Sequence, residues 1–127
     1  MEEAFVAHLL ASPAAALVSN RIHWLQRPQA SAVPAVTLTR VSGVHNYHHG
    51  GDSGLMESRV QVDAWAKTFA GAKEVSRAIV AHLTGATFEQ GGIRFQGAFV
   101  DGERDTFEAD VNPPLYRTTV DFMLWHT

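Results

Sequence analysis

Apolar residues recur along this chain with two different periods, and the switches between them mark out its elements. Residues 2–11 predict a helix: Phe5 with Leu9, and Ala4 with His8 and Ala11, fall on turn-related spacings, and Glu2 and Glu3 sit where the helix dipole favours negative charge. Ser12-Pro13 restarts a second short helix, with Ser12 as its cap and Pro13 at the first helical position, where a missing N–H costs nothing. Leu17 and Val18 close it, and Asn20 suits a left-handed C-terminal position.

The period then shortens. Residues 21–25 predict a short strand, 26–34 a Pro-containing loop, and 35–42 an alternating strand. The stretch 43–54 holds four glycines in twelve residues and predicts a flexible loop or a wide hairpin. Over 55–67 strict alternation returns. Ser58, Val60, Val62 and Ala64 face one way, with the last three as the core side; Arg59, Gln61, Asp63 and Trp65 face the other. Residues 69–83 give the clearest helix, with Phe69, Ala72, Val75, Ser76, Ile79, Val80 and Leu83 in one stripe and Lys73, Glu74 and Arg77 away from it. Gly85 lies near its C-cap. A turn through Phe88, Glu89, Gly91 and Gly92 leads to a strand over 93–100 with Ile93, Phe95 and Phe99 on one face. The stretch 101–114 reads as an acidic, turn-rich connection, and 115–126 as a last long strand. In that strand Tyr116, Thr118, Val120, Phe122 and Leu124 form one side, and Arg117, Thr119, Asp121, Met123 and Trp125 the other.

Strands grouped around one long helix, with hairpin-like neighbours, predict an α+β fold: a single domain over 1–127, with an antiparallel-rich β-sheet and one long helix and the N-terminal helices packed on it. The 127 residues suit one domain. Only 18% are charged, below the usual one in four, and a low charge density suits a subunit of an assembly. The formal net charge is −3, with two lysines, Lys67 and Lys73, and no basic face to track a phosphate backbone. There is no Cys, which removes disulfides, thiolate metal sites and thiol nucleophiles. No positive n-region opens the chain and no run approaches a membrane span, so a soluble chain made in the cytoplasm is expected.

Three groups of residues are candidates for chemistry or contact. His45, His48, His49 and Asp52, with Tyr47 between them, have spacings that can bind a transition metal or titrate near neutral pH. Alternatively they form a polar loop at a subunit or partner surface, because a glycine-rich loop scaffolds a rigid site poorly. Asp101, Glu103, Arg104, Asp105, Glu108 and Asp110 crowd one stretch. Its alternatives are acid–base work in a cleft, a solvated hinge between strands, or an acidic surface that steers a basic partner. Trp24, Trp65 and Trp125 are either interface anchors or caps on the core. No serine lies in a Gly-x-Ser-x-Gly turn, and the Gly50-Gly51-Asp52-Ser53-Gly54 run lacks a phosphate-loop lysine. Asp63 and Asp121 either face solvent or pair with Arg59 or Arg117 across the sheet. No catalytic residue, metal site or cofactor is expected.

The order of segments carries a resemblance. Ser-Pro-Ala-Ala-Ala-Leu-Val over 12–18 leads to Arg21-Ile22-His23 and then Val33-Pro34-Ala35-Val36. Val60-Gln61-Val62-Asp63-Ala64-Trp65-Ala66 precedes the long helix. Phe95-Gln96-Gly97-Ala98-Phe99, Glu103-Arg104-Asp105 and Leu115-Tyr116-Arg117-Thr118-Thr119-Val120-Asp121-Phe122 follow it. The run resembles, over nearly the whole chain, the tail-completion (tail-terminator) proteins of long-tailed phages, prophages and phage-like gene transfer agents. That resemblance implies a structural virion protein, not an enzyme and without a cofactor. It implies a homo-hexameric ring at the head-proximal end of a siphophage-like tail, ending growth of the tail-tube protein and joining the tail to the head–tail connector. DNA would pass through the lumen without specific binding, and assembly would take place in the host cytoplasm. Contact surfaces are then expected at His45, Tyr47, His48, His49, Asp52, Asp101, Glu103, Arg104, Asp105 and Trp125. The other reading of the same residues is a soluble α+β ligand- or metal-binding module that uses the His-rich segment 45–52.

Overall fold

A computed structural model describes residues 2–24, 33–48, 51–85, 87–109 and 114–126, with the backbone alone at 2 and over 40–48 and 51–55. The elements run α1 (Glu2–Leu10), α2 (Pro13–Leu17), β1 (Ile22–Trp24), β2 (Ala35–His48), β3 (Gly51–Ala66), α3 (Phe69–Leu83), β4 (Phe88–Gln90), β5 (Ile93–Glu108) and β6 (Leu115–His126). One six-stranded sheet has the order β1-β2-β3-β6-β5-β4. β1 runs parallel to β2 and every other pairing is antiparallel, so the α+β expectation holds.

All three helices lie on one face. Phe5 and Leu9 of α1, Ala14 and Ala15 of α2, and Val75, Ile79 and Leu83 of α3 meet Val36, Leu38, Val60, Val62, Ala64, Val120, Phe122 and Leu124 in one core. The apolar sides assigned to β3 and β6 are the sides that are buried. α3 has the expected bounds. Thr68 caps it by accepting from the Gly71 N–H at 3.0 Å, while Phe69, at the end of the stripe, stays half exposed. Asn20 has φ +61° after α2, as its short polar side chain permits. Ser12 precedes α2 but makes no side-chain cap; its hydroxyl donates back to the Leu9 carbonyl. Among the described residues no helix is long and apolar enough to cross a membrane.

The structure sharpens one expectation and corrects others. Of the two forms expected for 43–54, loop or wide hairpin, the hairpin is the one found: β2 runs to His48 and β3 starts at Gly51, with Gly43 opposite Ser58 and His48 opposite Gly51. Glycine weakens a strand without forbidding it, and ladder hydrogen bonds need no side chains. The supposed turn-rich connection after residue 100 is strand as far as Glu108, paired residue by residue from Glu103↔Val120 to Glu108↔Leu115. Its charges read as a loop because both faces of the strand find ion-pair partners. Phe99 does not share a face with Phe95. A register shift between Phe95 and Gly97 inserts one residue, which puts Ala98 in the core opposite Leu124 and turns Phe99 outward opposite Met123. A further small strand, β4, replaces the turn expected at Phe88 and Glu89.

Candidate assembly surfaces

The face of the sheet opposite the helices carries the most organised polar chemistry among the described residues. Asp63 and Asp121 are each about 95% buried there, although no described helix covers them. Neighbouring side chains provide the cover. Arg104 Nη1 donates to Asp121 Oδ2 at 3.0 Å, and Arg59 reaches the same oxygen at 3.4 Å while also pairing with Asp101. Gln61 bridges the two acids, donating to Asp63 Oδ2 at 2.9 Å and accepting from Arg104 Nη2 at 3.2 Å. Thr119 donates to Asp63, and Arg117 lies 4.0 Å from Asp63 and 3.1 Å from Glu108. The Arg117 guanidinium carbon also sits 5.1 Å from the centre of the Trp65 ring, and Trp65 Nε1 donates to Thr37 Oγ1 at 3.0 Å. A buried carboxylate is tolerated only when paired and hydrogen-bonded, and both acids are. The expected pairing of Asp63 and Asp121 therefore holds, with Arg104 as a partner that the pattern did not suggest.

The second register shift, between Val100 and Gly102, divides the acidic stretch between the two faces. Asp101 and Arg104 belong to the open face. Glu103 and Asp105 face the helices and share Lys73 of α3, at 2.9 and 3.0 Å. Burial alone would raise the Asp105 pKa. Hydrogen bonds from Lys73 and Thr118, with the charges of Lys73 and Arg77, outweigh it and hold the carboxyl below its ordinary value. Lys73 is pushed up, first by its hydrogen bonds to Glu103 and Asp105. As far as Glu108 the stretch is strand rather than a hinge, and Arg59 and Lys73 offset part of its negative charge. Trp125 is half-buried on the open face, opposite Gly97 and Glu57.

The sheet's edges are largely uncovered. β1 pairs only with 36–38 of β2, and β4 only with 93–95 of β5. Among the described residues nothing pairs with the outer edges of β2 over 39–48 or of β5 over 99–108. These two edges lie on opposite sides of the sheet. The β2–β3 ribbon also projects: β6 begins to pair with β3 at Met56, so 51–55 have only β2 beside them. At about 3.3 Å per residue the ribbon extends roughly 16 Å past the body of the sheet. His45 lies opposite Met56, Tyr47 opposite Asp52 and His48 opposite Gly51 along this ribbon, while His49 lies outside the described residues. Sequence pattern also missed the exposed aromatics Phe69, Phe99 and Phe107, each about half exposed. Phe69 and Phe107 flank Tyr116, at ring-centre distances of 6.4 and 4.8 Å. A period-two reading could have exposed Phe99 only if the bulge had been visible. Trp24 lines a shallow groove between α1 and β1 with Val6, Leu10 and Ile22, and Glu3 and His23 are its two ionisable side chains. Among the described residues no group of three or more His, Asp, Glu or Cys converges on one point.

The class that this geometry defines is an α+β chain whose distinctive surfaces, among the described residues, are two open strand edges and a projecting ribbon. The chain belongs to the Tail completion protein gp17 family, whose sequence profile matches residues 3–127. A chain in the virion of a native gene transfer agent (GTA) particle has a similar fold, with a TM-score of 0.76 at 22% identity, the alignment covering 99% of this chain and 93% of that one. No curated protein matches the chain.

Proposed function

We propose that this chain is a structural virion subunit that closes into a homo-hexameric ring at the head-proximal end of a phage-like tail. There it ends growth of the tail tube and joins the tail to the head connector. The observation that carries this reading is the pair of edges, β2 over 39–48 and β5 over 99–108, on opposite sides of one sheet, with which no described residue pairs. A ring needs two different, complementary surfaces on each subunit, and two opposed edges supply them. An unpaired edge is otherwise an aggregation hazard, which charged residues and bulges on β5 moderate and a neighbour's strand removes. Family membership supports the tail assignment, and the fold shared with a chain of a gene transfer agent virion supports placement in a particle.

The projecting ribbon is the arm of the subunit. Two strands alone are marginally stable, so the arm gains from lying against a neighbour, the tail tube or the connector. His45, Tyr47, His48 and Asp52 are the contact residues on it, with His49 next to them in sequence, and Trp125 joins them from the open face. Asp101, Glu103, Arg104 and Asp105 act at the β5 edge mainly by holding the strand in place. Such a subunit works by shape and stoichiometry rather than catalysis. With a net charge of −3, and with Arg59, Arg104 and Arg117 engaged by acids, it suits a lumen through which DNA slides without tight phosphate contacts. The test is removal of residues 45–52 in the producing strain. Tails that no longer join heads, made by a chain that still folds, support the reading; normal joining contradicts it.

A further inference from the structure

We propose that His8 and His82 form a two-imidazole chelating site for a divalent late transition metal of the copper(II) or nickel(II) type, clasping α1 to α3. The two residues are far apart in sequence, yet their Nε2 atoms lie 3.0 Å from each other. With metal–nitrogen bonds of about 2.05 Å, that separation corresponds to a nitrogen–metal–nitrogen angle of roughly 94°. A tetrahedral angle would need about 3.35 Å, so the bite suits square-planar or octahedral coordination. Ring placement agrees. For imidazoles radiating from a common metal at that angle, ring centres would fall about 4.7 Å apart, against roughly 5.3 Å for two rings sharing a proton head-on. The observed distance is 4.7 Å.

Two further features favour a cation between these rings. His8 lies in the last turn of α1 and His82 in the last turn of α3, so the negative ends of two helix dipoles converge there. The His8 ring is also held in place by stacking on Phe88, with centres 3.5 Å apart and planes 4° from parallel. A ligand must be a neutral imidazole, and burial, then the neighbouring His82, keeps the His8 pKa below its ordinary value. Both rings are half-buried, which leaves room for water to fill the remaining positions. No third protein ligand is present among the described residues, so binding is expected in the micromolar range rather than tighter.

Calorimetric titration and thermal unfolding of the full chain with nickel chloride, against the same chain in EDTA, test the site. Because His45, His48 and His49 can bind nickel on their own, the combined variant His45→Gln, His48→Gln and His49→Gln is included. The expected result is that this triple variant retains one equivalent of uptake and a rise in Tm. His8→Gln and His82→Gln should each weaken uptake by at least about tenfold. Copper(II) electron paramagnetic resonance of the triple variant should show coupling to two nitrogens, a readout that does not depend on the single variants folding. Unchanged uptake in His82→Gln, uptake lost in the triple variant, or a spectrum without two-nitrogen coupling would overturn the proposal.

Discussion

Arg104 Nη1 lies 3.0 Å from Asp121 Oδ2, so a guanidinium more than half exposed on β5 roofs a carboxylate that is buried on β6. Arg59 meets the same oxygen at 3.4 Å from β3, and three strands are thereby tied together on the face that the helices do not cover.

Redundancy at Asp121 predicts a non-additive mutational response. Arg104→Met should cost only about 0.5 kcal/mol, since the pair is solvent-screened and Arg59 remains. Replacing Arg59 and Arg104 together strands a buried charge and should cost about 3 kcal/mol. Urea unfolding of the two single variants and the double variant checks this. A double variant no worse than the sum of the singles would remove the shared-roof account.

The bulge in β5 predicts opposite outcomes for two phenylalanines that simple alternation places together. Phe95 is fully buried and Phe99 is half exposed. Phe95→Ala should lower stability by about 3–4 kcal/mol, whereas Phe99→Ala should stay within about 0.5 kcal/mol in the isolated chain. Similar losses at both positions would mean that the register is not the one described.

Lys73 sits between Glu103 and Asp105, and its effect on stability has a definite sign with pH. Asp105 titrates below its ordinary value of 3.8 in the folded chain, so its contribution is present above that pH and fades as acid drives protons onto the folded carboxyl. Lys73 titrates above 10.5, so its contribution is complete below that value and fades as alkali rises through the folded pKa. Lys73→Met should flatten the stability profile at both extremes and leave its slope near neutrality unchanged.

His8 acts in a different window. Its folded pKa lies below 6.5, so the unfolded chain takes up the proton more readily and stability falls as the pH drops through 6.5 toward the folded value. In EDTA, unfolding of the parent chain should show this loss, and His8→Gln should reduce it. An identical acid slope in the variant would place the titration elsewhere.

How much of this was legible from the chain differs between elements for physical reasons. α3 and β6 are legible with their observed bounds because each presents one continuous apolar side to the core: Val75, Ile79 and Leu83 on one, Val120, Phe122 and Leu124 on the other. The β2–β3 ribbon is legible only as one of two alternatives, a wide hairpin beside a loop, because Gly43, Gly51 and Gly54 carry no side chain to alternate and backbone pairing alone leaves no hydrophobic pattern. β5 was cut short at Val100 because the charges beyond it resemble a loop until their partners Lys73, Thr118 and Asp121 are placed beside them. Local spacing cannot show a pair such as His8 and His82, which are 74 residues apart and meet only in the folded chain.

The central claim is a closed ring that uses both sheet edges, and cryo-electron microscopy of the native particle tests it most directly. The account predicts six copies of this chain between tail tube and head connector, with the 39–48 edge of one subunit facing the 99–108 edge of the next. A copy found elsewhere in the particle, or a ring in which both edges face solvent, would contradict it.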